Sequence, residues 1–141
     1  MFGGPRPPTV FAMTWNELGT SKFALLTTYQ KDGTPVGTPV WVAPDGDRIV
    51  VWTNPTTWKV KRIRRNPDVT LQPSDARGRP KGDEIYLGSA AILDAEGTQR
   101  VRDLVSRKYG IIGALLIKLH KLFRGADGSV GLTITQQVRG E

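Results

Sequence analysis

Five of the seven residues from Lys59 to Arg65 carry positive charge, and they follow a run of polar side chains, Thr53, Asn54, Thr56 and Thr57. Ile49 to Trp52 reads as the end of a strand, and Trp58 to Arg65 as a short helix stopped by Asn66-Pro67. The first N–H groups of such a helix lack intrahelical partners and point at whatever sits beside Thr57. The helix dipole adds positive potential there, and Lys59 and Lys61 bring ammonium groups to the same end. Hydroxyls, unpaired N–H groups and lysines at a helix start make a phosphate site. Lys59 and Arg62 lie three apart and share a face, so they form the best pair, with Lys59 expected to be exposed. A solvated basic helix pinned by Val60 and Ile63 accounts for the same residues equally well.

Other chemistry is excluded by what the chain lacks. It has no cysteine, so thiolate nucleophiles, disulfides and iron–sulfur clusters are ruled out. His120 is the single histidine and sits among basic residues, which leaves zinc without its usual ligands and any Ser–His–Asp triad without a base. Asp83 and Glu84 are adjacent, so on a strand they face opposite ways and make a poor catalytic pair. No GxGxxG or phosphate-loop motif occurs. A redox reaction here must be carried by a bound cofactor, with the protein supplying position and electrostatics.

The elements that must position these residues are short. The 141 residues suit one domain, and 16 glycines with 10 prolines supply the turns. Strands are expected at Phe23–Tyr29, Val36–Val42, Arg48–Thr53, Val69–Gln72, Glu84–Leu93 and Ser129–Thr135. Asp32-Gly33 and Asp45-Gly46 provide turns. Pro35 and Pro39 predict an edge or bulged second strand, and Gly88 a bulge or close approach. Helices are expected at Thr14–Leu18 (capped by Thr14 with Glu17), at Trp58–Arg65, at Ala95–Tyr109 and at Ile111–Phe123. Residues 1–12 read as a flexible arm, with the domain from residue 13 to 141. The sum is a mainly β fold of about six antiparallel strands with helices, closed or partly closed to remove its edges.

Several phrases in order resemble the PPOX-class F420-dependent oxidoreductases: FALLTT at 23–28, KDGTP at 31–35, TPVW at 38–41, VWT at 51–53, KVKRIRRNP at 59–67 and KYG at 108–110. The resemblance runs from about Leu18 to Thr135. It implies an FMN-binding split barrel, a homodimer with cofactor at the subunit interface, and hydride transfer between reduced F420 and a small organic acceptor. By position it assigns Thr53, Thr57, Lys59 and Lys61 to the phosphate stretch, with Asn54, Trp58 and Arg62 as further cofactor-binding residues and Arg62 suited to the tail. Thr38, Pro39, Val40 and Trp41 fall on the strand that lines the ring, with Trp41 and Trp52 as stacking partners or core residues. Relatives often carry Asn where this chain has Arg62. Pyridoxamine-phosphate oxidases carry a basic FMN contact where Gly37 stands. Both departures favour the carboxylate-tailed deazaflavin F420 over FMN.

The alternatives are an FMN-binding oxidase-like protein and a cofactor carrier without turnover. The net charge of +7 predicts anionic partners. Cations gathered on one helix, rather than interleaved with aromatics along strands, argue against nucleic acid. The apolar stretch Ile111–Phe123 ends in Lys118, Lys121 and Arg124, a composition suited to a membrane surface. Burial or a dimer interface is its expected role, and a cytoplasmic location is expected.

Overall fold

A computed structural model describes residues 14–109 and 129–137. The order is α1 (Trp15–Leu18), β1 (Phe23–Tyr29), β2 (Pro35–Asp45), β3 (Arg48–Thr53), α2 (Trp58–Arg65), β4 (Asp68–Pro73), β5 (Tyr86–Ile92), α3 (Ala95–Tyr109) and β6 (Val130–Gln136). The strands close into one antiparallel barrel, β1-β2-β3-β6-β5-β4, as the strand pattern predicts. The expected arm at 1–12, the helix at 111–123 and His120 lie outside the described residues.

Alternation decides which side chains enter the barrel. Ala24 and Leu26, Ile49 and Val51, Val69 and Leu71, and Leu132 and Ile134 point inward. Trp15, Leu18 and Ile63 join the same core from α1 and α2. Thr14 and Glu17 form the predicted capping box at the start of α1. A second apolar layer lies outside the barrel, where Val101, Val105 and Tyr109 of α3 cover Ala43, Val50, Trp41 and Trp52.

Strand β2 changes partner part-way along. Pro35 to Trp41 pairs with β1, and Val42 to Asp45 pairs with β3. The strand belongs to the closed barrel, but its Pro35–Trp41 half has one neighbour and is locally an edge, as the two prolines predict. Pro35 and Pro39 both fall in the half whose ladder runs to β1 alone, so neither interrupts a second ladder. It also runs past the predicted end at Val42, because Ala43 and Pro44 still have Val50 and Ile49 to pair with.

The close approach predicted at Gly88 is present. A Cβ there would lie 2.7 Å from Ile134 Cγ2 and 3.3 Å from the Thr135 carbonyl oxygen. Gly88→Ala is expected to destabilise the fold by about 1–3 kcal/mol, the usual cost of overpacking a core, as read from urea unfolding.

Candidate functional site

Val60 and Ile63 anchor α2 by burial, at 0% and 3% exposure, and its cations occupy the remaining surface. Thr57 has the extended backbone of an N-cap, but its side chain makes no cap bond. Instead its hydroxyl donates to the Asn54 carbonyl at 2.9 Å. Asn54 Oδ1 accepts from the Thr56 N–H at 2.9 Å and the Thr56 hydroxyl at 2.8 Å. The loop therefore holds itself together and leaves the first turn of α2 without a side-chain cap. Thr53 is buried behind it.

Lys59 is half-buried, which corrects the expectation of an exposed ammonium. Burial, and next the nearby Arg62 charge, push its pKa below that of an ordinary lysine. Arg62 is held in place: its Nε donates at 2.8 Å to the hydroxyl of Thr28, a fully buried β1 residue. Lys61 Nζ sits 4.6 Å from the ring centroid of Trp58, which is 69% exposed.

A groove of about 470 Å³ runs between Gln30, Lys31, Trp58, Lys61, Arg62 and Arg65. Among the described residues, none of its four cations pairs with a carboxylate. The residue pattern singles out Trp58, Lys61 and Arg62, reads Arg65 as a solvated charge, and misses Gln30 and Lys31. These two arrive from the β1–β2 turn only because the barrel closes, and their sole advance signal is the charge of Lys31. Lys59 is not part of the groove's lining.

The ring-lining stretch lies elsewhere. Val40 points into the barrel core and Thr38 and Pro39 are half-buried. Trp41 stacks on Tyr109, with centroids 5.4 Å apart and planes 28° from parallel. Trp52 also packs beneath α3, where its indole N–H donates to the Ser129 hydroxyl and the Arg102 guanidinium lies 5.8 Å from its ring centroid. Neither tryptophan enters the α2 groove.

Lys108 and Tyr109, known from the sequence only as part of a phrase, form a knot at the end of α3. Lys108 Nζ donates to the carbonyls of Gly19 at 2.9 Å, Val42 at 2.6 Å and Ser21. Burial pushes its pKa down to about 8. The Tyr109 hydroxyl meets the carbonyls of Lys22 at 2.7 Å and Val42 at 2.9 Å, and burial raises its pKa to about 12.

A family model, pyridoxamine 5'-phosphate oxidase, matches residues 15–124. The chain belongs to the pyridoxamine 5'-phosphate oxidase family. No curated protein matches the sequence. Solved structures share the family's barrel at low identity. HutZ, the heme storage protein of Vibrio cholerae, is 12% identical over 94% of this chain and 91% of its own, with a TM-score of 0.64. A FAD-binding protein of Mesorhizobium loti is 18% identical over 86% and 83%, with a TM-score of 0.59. An F420 reductase is 16% identical over 96% and 97%, with a TM-score of 0.55. Among the described residues, no helix is long and apolar enough to cross a membrane.

Proposed function

We propose that the chain is an oxidoreductase of this family that binds F420 and passes a hydride from its reduced form to a small organic acceptor. The observation that carries the reading is the α2 groove, where Lys31, Lys61, Arg62 and Arg65 stand together without carboxylate partners beside an uncapped helix start. An uncapped first turn and Lys59 fit a phosphate. Four further cations exceed what one phosphate needs and suit a tail of carboxylates. Gly37 supplies no charge on β2, and a Cβ there would press on the Leu25 side chain at 3.1 Å.

In this reading Lys59 and the α2 N–H groups hold the phosphate, and Arg62, fixed by Thr28, orients the tail. The half-buried Thr38 and Pro39 of β2 are the part of the ring-lining strand left free to meet a ring, since Val40, Trp41 and Trp52 are taken up by the barrel core and α3, and Asn54, Thr57 and Trp58 form the strand-to-helix side. When bound, reduced F420 supplies the two-electron hydride donor. The protein's own share is binding, orientation and exclusion of water.

Titration of the purified chain with F420, FMN and heme, at low and high salt, tests the reading. F420 is expected to bind more tightly than FMN, with a modest margin that shrinks as salt rises, since exposed charge pairs are screened over about 8 Å at physiological ionic strength. Tighter FMN binding at both salt concentrations would move the chain to an FMN-dependent reading. Binding without any turnover of an added acceptor would make it a carrier.

A homodimer belongs to the same proposal, because one small barrel leaves a face of a large planar ring uncovered. Light scattering with cofactor present is expected to give twice the mass of one chain, and a monomer at micromolar concentration would overturn it.

A further inference from the structure

At the end of β1 far from the α2 groove, the structure assigns a second ligand site, which takes a small aromatic anion such as an aryl carboxylate or sulfonate. A groove of about 430 Å³ lies between Ser21, Lys22 and Phe23, where the chain enters β1, and the 73–81 loop with Ser74 and Lys81. The seven residues of β1 place it roughly 20 Å from the α2 groove.

Both rims are fixed. The Ser74 N–H donates to the Phe23 carbonyl at 3.4 Å, and the Lys81 N–H to the Pro73 carbonyl at 2.9 Å. On the other rim, Ser21 and Lys22 offer their carbonyls to Lys108 and Tyr109. The loop itself is braced by Asp75, whose carboxylate accepts from the Arg77 N–H, the Arg79 N–H and Arg79 Nε, each at 2.9 Å. Gly78, at φ +84°, lets the loop lie against Pro39 and Leu25. A rim held this way loses little freedom when a ligand enters.

The chemistry of the lining selects the ligand. Lys22 and Lys81 are exposed, and among the described residues neither lies within ion-pair distance of a carboxylate. Asp75 also lines the groove, but its carboxylate is taken up by Arg79 and by the Arg77 and Arg79 N–H groups. The half-buried Phe23 ring, 6.1 Å from Trp41 and tilted by 56°, gives an apolar surface in the same groove as the two lysines. An inorganic anion would use the lysines and leave that surface wet. A flat apolar body bearing one negative group uses both.

The site stands independently of the cofactor reading, since it can be tested without F420. The probe is 2-naphthalenesulfonate, titrated into the full chain and followed by its fluorescence, with inorganic sulfate and uncharged 2-methylnaphthalene as controls. Naphthalenesulfonate is expected to bind more tightly than either control. The Lys22→Ala/Lys81→Ala variant should weaken it about tenfold or more and keep the wild-type melting temperature, because neither side chain bonds to another of the described residues. The Lys61→Ala/Arg62→Ala variant should leave it unchanged. Absence of saturable binding, equal binding of sulfate, or a loss that follows Lys61 and Arg62 instead would overturn the assignment.

Discussion

Lys108→Ala is expected to lower the unfolding free energy by about 2–4 kcal/mol, because a half-buried ammonium that donates to three carbonyls is removed and hydrogen bonds to a charged group are worth about 1.5–3 kcal/mol. Three carbonyls, from Gly19, Ser21 and Val42, lose their common donor together, although Val42 keeps the Tyr109 hydroxyl. A buried acceptor left without a partner costs about 1–3 kcal/mol. Part of that is returned, because the ammonium no longer has to be held out of water, the same cost that pushes its pKa to about 8. At a few degrees per kcal/mol for a chain of this size, the melting temperature should drop by about 10 °C. Lys108→Met keeps the stem and should cost about half as much. Thermal unfolding by circular dichroism on both variants separates the lost bonds from the lost packing, and a drop under about 2 °C in Lys108→Ala would show that the knot carries little stability.

Lys59→Glu/Arg62→Glu should weaken F420 binding about a hundredfold or more, while a single Lys59→Ala costs about 1.5–3 kcal/mol, the worth of one charge-assisted hydrogen bond. The double change turns two attractions into repulsions, and the carboxylate at position 59 neutralises the positive helix end that would otherwise serve the phosphate. Wild-type affinity should fall as pH climbs toward the lysine range. The fall should begin earlier than an exposed lysine would give, because the pKa of Lys59 is already lowered before ligand arrives. An anion favours the protonated form, so binding takes up a proton once Lys59 starts to lose its own. Fluorescence titration across pH checks both, and an unchanged dissociation constant in the double variant would remove α2 from the cofactor site.

The fold could be read from the letters wherever a local rule had no rival. Phe23–Tyr29, Arg48–Thr53, Trp58–Arg65 and Ala95–Tyr109 end where turn, cap and proline signals say they should. The fifth strand begins at Tyr86 rather than Glu84, because only from Tyr86 onward does β4 offer it a partner. The site was harder to read for the same reason. Gln30 and Lys31 sit on a hairpin turn and meet α2 only through barrel closure. The outward tryptophans Trp41 and Trp52 have the spacing of stacking residues. Which element covers a strand's outer face, here α3, is a tertiary fact that strand periodicity does not contain.

Strand β6 lies between β3 and β5, although about 75 residues separate it from the end of β3. A nascent chain that has already released β1 to β5 from the ribosome therefore still carries two open strand edges, one on β3 and one on β5. Each edge is a template for the wrong neighbour until residues 130–136 emerge. Closure has to wait for the most distant pairing in the barrel, which makes the folding of this chain slow for its size and dependent on protection during synthesis.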